Sequence, residues 1–230
     1  MGHHVWGVLV TCGKDEQLTA DTDVGFVSLG SKPALMYSLL AFEKCPEIDG
    51  VVVVCRKERM ETLVGMISMF GANKVRKVVA GGTSRKASLQ NGLAALDEDV
   101  SIVSIHEGSR PFISASLISE SIKSAKRYGC GIAALKITDP VKETERGLKV
   151  TGGTSGQTLW ALQKPQTYKR DVLEKGLAAG AKKKAVWTDE SDLLPLIRKS
   201  IHLVPSVPSN IRIESTEDLE IATCLLSVVN

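Results

Sequence analysis

Short runs of β-branched residues alternate with longer helical segments through most of the chain, and this alternation limits the possible folds more than any other feature. The apolar runs are continuous, which is typical of parallel strands that are buried on both faces. Strands are predicted at residues 5–10, 51–54, 77–80, 101–105, 130–137 and 201–204. Helices are predicted at residues 33–42, 58–70, 84–96, 115–128, 168–177, 189–198 and 216–226. The pattern therefore predicts an α/β fold of three layers, with a mostly parallel sheet between helices.

The regular alternation stops at residues 139–157, which are polar and contain four glycines. One short alternating stretch, at residues 148–150, interrupts this segment. This pattern predicts a hairpin or arm that projects from the sheet rather than a flexible linker. We therefore predict one domain over residues 1–230, with a protruding arm at residues 139–158.

The composition is that of an ordinary globular protein and argues against several classes of partner. Hydrophobic residues make up 43% of the chain and charged residues 24%, with a formal net charge of only +3. Such a small, dispersed charge does not predict a nucleic-acid-binding surface. No apolar run approaches the ~20 residues that span a bilayer, and the N-terminus lacks the features of a signal peptide. Five scattered cysteines without C-x-x-C spacing are typical of reduced thiols, so we expect a cytoplasmic protein with no membrane partner.

A glycine-rich segment at residues 81–88 (GGTSRKAS) follows a predicted strand and opens a predicted helix. Ligands bind beyond the carboxyl ends of the strands in such sheets, where two glycines let a ligand approach the backbone. The helix N-terminus offers N–H groups and a partial positive charge, and Arg85 and Ser88 add side-chain donors. The alternative interpretation is a simple glycine turn with Ser84 as the helix N-cap. The segment is not a Walker loop, because it lacks that motif's order of residues.

A second polar segment, at residues 106–112 (HEGSRPF), follows the next predicted strand. Glu107 at a strand end could hold Mg²⁺ through oxygen, and Arg110 could bind a phosphate with two parallel hydrogen bonds. The alternative interpretation is an internal Glu–Arg pair within a turn. His106 by itself is expected to have a structural role.

Two later segments carry weaker signals. Thr188 and Ser191 have the spacing of a helix N-cap and its third helical residue, and capping alone would explain this segment. Arg212 lies on a short strand predicted within residues 210–215, and alone it would be only a surface residue.

Taken together and in this order, these segments resemble the 2-C-methyl-D-erythritol 4-phosphate cytidylyltransferase family. Residues 81–93 (GGTSRKASLQNGL) are similar to its G-G-x-x-R-x-x-S-V-x-x-G-L segment, and residues 106–112 to H-D-A-A-R-P-F. Residues 159–177 (LWALQKPQTYKRDVLEKGL) resemble L-W-x-x-Q-T-P-Q-x-F and the helix that follows it. Residues 188–193 (TDESDL) resemble T-D-(D/E)-(A/S)-x-x, and residues 210–222 (NIRIESTEDLEIA) resemble N-I-K-(I/V)-T-x-x-E-D-L-x-x-A.

The resemblance implies a Rossmann-like nucleotidyltransferase that transfers CMP from CTP to a sugar-alcohol phosphate, releases pyrophosphate and uses Mg²⁺. It also implies a homodimer, in which an arm from one subunit completes the site of the other. The nucleotide would be held by Gly82, Thr83, Arg85 and Ser88. The metal would be held by Glu107, and the acceptor by Arg110, Thr188 and Arg212, with Lys142 of the arm reaching across the dimer.

The first loop departs from the family pattern, which reads A-A-G-x-G-x-R-(M/L)-x-x-x-x-P-K-Q-(Y/F). Residues 11–26 align with it without a gap, and Gly13 keeps the first glycine as a predicted nucleotide contact. Gln17 and Val24 stand where the family has a basic Arg and Lys. These two cations stabilise charge on the phosphates in the transition state, and losing one such group typically costs ~10²–10³ in rate. Lys14 is the candidate replacement, so we predict Lys14 and Arg212 as catalytic cations.

Three functions follow from this combination of resemblance and departure. The first is an active cytidylyltransferase with methylerythritol phosphate as acceptor, in isoprenoid precursor synthesis. The second is a catalytically impaired relative that acts as a binding or regulatory protein. The third is a sister enzyme that uses ribitol 5-phosphate, which the sequence alone does not separate from the first.

Overall fold

The computed structural model describes residues 4–13, 16–19, 22–154 and 158–229. The strands are β1 (His4–Val10), β2 (Gln17–Thr19), β3 (Thr22–Asp23), β4 (Ser28–Leu29), β5 (Lys32–Pro33), β6 (Gly50–Cys55), β7 (Val75–Ala80), β8 (Val100–Glu107), β9 (Cys130–Lys136), β10 (Val141–Thr144), β11 (Val150–Thr154), β12 (Trp160–Lys169) and β13 (Leu203–Pro205). The α-helices are α1 (Ala34–Lys44), α2 (Met60–Phe70), α3 (Arg85–Ala94), α4 (Ala115–Tyr128), α5 (Arg170–Lys182) and α6 (Thr216–Val229).

Seven strands form the central sheet, in the order β13-β9-β12-β8-β1-β6-β7. Neighbouring strands are parallel except at β12, which runs antiparallel to both β8 and β9. The prediction of a mostly parallel α/β sheet is therefore confirmed. The carboxyl ends of β7, β6, β1 and β8 come to one edge, and the loops that follow them are neighbours.

The continuous valine runs form strands because both faces of the sheet are covered. In β6, Val51 and Val53 pack into one cluster with α1, α2 and α4 residues, whereas Val52 and Val54 pack into the opposite cluster with α3 and α5 residues. Side chains alternate between the two faces of a strand, so a strand that is buried on both sides needs apolar residues at every position.

The structure corrects the prediction of a helix at residues 168–177. The observed strand β12 runs through Tyr168 to Lys169, and helix α5 begins only at Arg170. The Tyr168 side chain is fully buried, and this part of β12 pairs with β8 and β9. Pairing on both edges overrides the local helical pattern, because a central strand gains backbone hydrogen bonds from two neighbours.

The regular segment predicted at residues 189–198 does not form an α-helix. This segment instead forms two short 3₁₀ turns, Glu190–Leu193 and Pro195–Ile197. Proline has no backbone N–H to donate, so Pro195 interrupts the helical hydrogen bonds and stands at the start of the second turn. The strand predicted around Arg212 is not present among the described residues 210–215.

Strands β10 and β11 form a separate two-stranded antiparallel hairpin within the segment predicted as an arm. Its connecting segment exposes 84% of Leu148, and Val150 at the start of β11 is 56% exposed. These apolar side chains belong to none of the three largest buried clusters of the described residues. Among the described residues, none of the helices has the length and apolar character needed to cross a membrane.

Candidate active site

Two clefts lie where the loops after the central strands meet. The larger, here called the glycine cleft, has a volume of about 360 Å³. It is lined by residues that include Gly13, Gln17, Arg56, Lys57, Gly82 and Thr83. The smaller, here called the charged cleft, has a volume of about 120 Å³. It is lined by residues that include Arg85, Glu107, Arg110, Lys164, Thr188 and Arg212.

The glycine loop folds closely against its neighbours. A Cβ atom on Gly81 would lie 2.3 Å from the Cys12 sulfur, and one on Gly82 would lie 2.4 Å from Cβ of Ala87. Both distances are too short for a side chain to fit without movement, so close packing requires these glycines. The glycines therefore have a structural role as well as the predicted contact with a ligand.

Ser88 lies below the glycine cleft instead of facing it. Its side chain is fully buried, and its Oγ accepts hydrogen bonds from the Gly82 N–H at 3.1 Å and the Cys12 thiol at 3.4 Å. Ser84 caps helix α3 by accepting from the Ala87 N–H, as the capping interpretation expected. Ser88 thus fixes the shape of the loop, whereas Gly82 and Thr83 line the cleft itself.

Arg85 reaches away from the glycine cleft and into the charged cleft. Its guanidinium donates to both carboxylate oxygens of Glu190, at 2.5 and 3.2 Å, and lies 3.6 Å from Glu107. Burial opposes the charge of Arg85, but Glu190 outweighs it and raises the pKa of Arg85. In this arrangement Arg85 lies between the two clefts, and its assignment to the nucleotide stays a prediction.

Glu107 is an ionised carboxylate at the end of β8. It accepts a hydrogen bond from Nε of Arg110 at 3.1 Å, so the internal pair that the sequence suggested is present. Burial would raise the pKa of Glu107, but nearby positive charges outweigh it and lower that pKa to about 2. These charges are those of Lys164, Arg110, Arg212 and Arg85. His106 donates one hydrogen bond from Nε2 to the Arg110 carbonyl at 3.1 Å, and burial lowers the pKa of His106 to about 3.

Lys164 and Glu190 form the most buried ion pair of the site, and our sequence analysis missed it. Lys164 is 3% exposed, and its Nζ lies 2.5 Å from Glu190 and 3.3 Å from Asp189. Burial would raise the pKa of Glu190, but Lys164 and then Arg85 outweigh it and lower that pKa to about 2. A signal was present in the sequence, because Lys164 stands at the threonine of the Q-T-P-Q segment.

Thr188 and Arg212 both line the charged cleft, but their local structure differs from the prediction. Asp189, not Thr188, caps the first 3₁₀ turn, because its carboxylate accepts from the Ser191 N–H. Thr188 is exposed and donates its hydroxyl to Asp192 at 3.2 Å. Arg212 lies 3.0 Å from Glu214 on an extended segment without strand pairing. Lys142 is exposed on the hairpin and lines neither cleft.

The first loop contributes a buried carboxylate that the sequence analysis did not select. Glu16 accepts from the backbone N–H of Ser109 at 3.0 Å and from its hydroxyl at 2.8 Å. Burial, and then the charge of Glu107, raise the pKa of Glu16 to about 8. Lys14, the predicted replacement cation, lies outside the described residues, and Val24 is completely buried.

We expect the Glu16→Gln variant to flatten the dependence of stability on pH. The pKa of Glu16 is raised by folding, so its contribution to stability falls as the pH rises from about 4.5 to about 8. Glutamine has no charge, and its amide oxygen can accept from the Ser109 N–H while its amide nitrogen donates to the Ser109 hydroxyl. The melting temperature should therefore be close to that of the wild type at pH 5 and exceed it by roughly 10 °C or more at pH 9. Equal melting curves at pH 9 would show that burial of the ionised Glu16 carboxylate does not destabilise the fold.

A family model described as 2-C-methyl-D-erythritol 4-phosphate cytidylyltransferase matches residues 5–228. This chain belongs to that family. A cytidylyltransferase of this name from Alkaliphilus metalliredigens is 32% identical over 221 residues, covering 96% of this chain and 92% of the relative. The relative from Caldanaerobacter subterraneus is 30% identical and covers 97% of this chain and 99% of its own length. The resemblance seen in five segments of sequence is thus confirmed over nearly the whole chain.

A solved structure supports the same fold. The 4-diphosphocytidyl-2C-methyl-D-erythritol synthase from Anaerococcus prevotii superposes with a TM-score of 0.86 and covers 99% of this chain and 100% of its own. Its sequence is only 23% identical, so the comparison shows the architecture alone. Membership of the cytidylyltransferase family makes the two clefts candidate substrate sites.

Proposed function

We propose that the protein transfers CMP from CTP to 2-C-methyl-D-erythritol 4-phosphate and releases pyrophosphate. The observation that carries this proposal is the adjacency of the two clefts at the strand ends. A small cavity between them shares Gly13 with the glycine cleft, and shares Arg85 and Glu107 with the charged cleft. A nucleotide in the first cleft and a phosphorylated acceptor in the second would meet at this point.

The chemistry needs positive charge more than it needs a general base. A phosphate oxygen of the acceptor attacks the α-phosphorus of CTP, and a new P–O bond forms. The bond from the α-phosphorus to the bridging oxygen breaks, and its electron pair leaves with pyrophosphate. Both substrates are anions, so electrostatic stabilisation dominates such a reaction. In the charged cleft that stabilisation would come from Arg85, Arg110, Lys164 and Arg212.

The residues present fit a magnesium ion held mainly by substrate. Mg²⁺ is commonly bound by one or two carboxylates together with phosphate oxygens and water. Glu107 supplies one ionised carboxylate at the junction of the clefts, since its pKa is lowered to about 2. The described residues contain no group of three or more metal-binding side chains, so the phosphates would supply further ligands. When bound, Mg²⁺ neutralises charge on the phosphates, and Glu107 would orient it.

Pyrophosphate release tests the proposal and separates its alternatives. The wild-type protein should release pyrophosphate with CTP, Mg²⁺ and methylerythritol phosphate, and much more slowly with ribitol 5-phosphate. Faster release with ribitol 5-phosphate would assign the sister activity. No release with either acceptor would instead favour the impaired relative that only binds its ligands.

A homodimer through the hairpin is part of this proposal. Leu148 and Val150 expose apolar surface on the hairpin, and Lys142 lies outside both clefts of its own subunit. We infer that Lys142 reaches the charged cleft of a second copy. A cytoplasmic location is also proposed, because all five cysteines are unpaired and four of them are buried.

Mixing two impaired variants tests whether the hairpin acts across the dimer. Lys142→Ala should remove the arm's charge, and Arg212→Gln should impair the charged cleft, so each variant alone should be slow. Exchange of subunits should restore about a quarter of the wild-type rate, because mixed dimers contain one intact site. Lys149→Ala, on the same hairpin, is the matched control and should remain fully active. A mixture no faster than its components would show that Lys142 does not act in trans.

A further inference from the structure

Two basic residues line the glycine cleft from a loop that our sequence analysis did not select. Arg56 and Lys57 follow directly after β6, the strand that lies between β1 and β7 in the sheet. They line the same cleft as Gly13, Gly82 and Thr83, and Glu58 is the only described acidic residue among its lining. The cleft therefore combines exposed glycine backbone with a local excess of positive charge.

The Arg56 side chain is held in a fixed direction by the first loop. Its Nε lies 2.9 Å from Oδ1 of Asp23, whose side chain is completely buried. The contact is an ion pair made at Nε, since Oδ1 of Asp23 accepts no hydrogen bond from the described residues. The side chain is still 32% exposed. A guanidinium that is anchored through one edge is well suited to bind a phosphate with its other donors.

Resting on the proposed function, we propose that Arg56 binds the β- and γ-phosphates of CTP in the glycine cleft. It would supply the positive charge that the first loop lacks at Gln17 and Val24. Val24 is completely buried in an apolar cluster, so that position has no access to the cleft. In this chain the positive charge therefore comes from Arg56 in the loop after β6 instead of from the first loop. Asp23 of the first loop positions the Arg56 side chain.

Arg59 provides a matched control for this proposal. It pairs with the other oxygen of Asp23 at 3.3 Å, and its guanidinium lies over the Phe26 ring. Unlike Arg56, it does not line the glycine cleft. Removing either arginine leaves Asp23 with one ion-pair partner fewer. Only the change at Arg56 also alters the lining of the glycine cleft.

Calorimetric titration with CTP and with CMP, both in Mg²⁺, tests the role of Arg56. Loss of a charge-assisted contact predicts that Arg56→Gln binds CTP about 10- to 100-fold more weakly. Its affinity for CMP should change less than twofold, because CMP lacks the two outer phosphates. Arg56→Lys keeps the charge and should retain most of the preference for CTP. Arg59→Gln should match the wild type with both ligands.

The contradicting results are distinct from failure of the proposed function. Equal weakening of CTP and CMP in Arg56→Gln would show that Arg56 only shapes the loop, and no weakening would show that it is not a ligand contact. Either result would overturn the inference while wild-type pyrophosphate release still stood. A wild-type protein that neither binds CTP nor releases pyrophosphate would overturn both proposals. Circular dichroism of each variant checks that the fold is intact.

Discussion

The Lys164→Met variant is expected to lose about 3–5 kcal/mol of unfolding free energy. Lys164 is 3% exposed and Glu190 is completely buried, so the pair is held away from water. Methionine preserves the length of the side chain but leaves the Glu190 carboxylate with Arg85 as its remaining cation. A buried charge that loses a partner is penalised by desolvation that is no longer compensated. Urea unfolding followed by circular dichroism measures the loss.

Two further variants separate the pair from general effects of the substitution. Lys164→Met combined with Glu190→Gln should cost less stability than the sum of the two single changes, because both remove the same ion pair. Lys123→Met removes an exposed lysine that pairs with Glu120 at 2.8 Å, and it should change stability by less than about 0.5 kcal/mol. If Lys164→Met were no more harmful than Lys123→Met, the buried pair would not be a determinant of stability.

Restoring the family's two first-loop cations is expected to have opposite results at the two positions. Gln17 lines the glycine cleft, so Gln17→Arg should raise the rate of pyrophosphate release at least about tenfold. Val24 is completely buried against Leu29 and Phe112, so Val24→Lys should cost about 3 kcal/mol or more of stability. Steady-state kinetics and urea unfolding measure the two effects.

The control for the Gln17 change is a matched substitution outside the cleft. Gln90 is exposed on helix α3, and Gln90→Arg adds the same charge without entering the glycine cleft. It should leave the rate of pyrophosphate release unchanged. An equal gain from Gln90→Arg would attribute the effect to net charge, and no gain from Gln17→Arg would mean that the first loop does not limit the rate.

The fold could be predicted from the sequence wherever a periodic pattern of apolar residues indicates which positions are buried. The valine run of β6 and the amphipathic helix α4 show such patterns, and α4 was predicted over the residues that the structure gives it. Strand β12 was missed because its buried residues are partly polar. Thr167 is fully buried, yet it is paired with the hydroxyls of Ser104 and Ser121. Polar residues that find partners in other strands and helices leave no periodic signal in their own segment.

In the candidate site, too, contiguous motifs could be predicted from the sequence, whereas contacts between distant segments could not. The glycine loop and Glu107 could be predicted, because each follows a strand in a motif that is contiguous in the sequence. The contacts of Arg85 with Glu190 join residues 105 positions apart, and no spacing rule encodes them. Arg56 follows a recognisable strand, but only the three-dimensional structure places it beside the glycine loop.

We propose that the two clefts hold the two substrates of one CMP transfer. Phosphorus NMR of the wild-type protein with CTP, methylerythritol phosphate and Mg²⁺ tests it most directly. We expect loss of the triphosphate signals together with new signals of pyrophosphate and of a diphosphate that joins cytidine to the acceptor. Intact CTP, or CTP hydrolysed while the acceptor phosphate signal is unchanged, would contradict it.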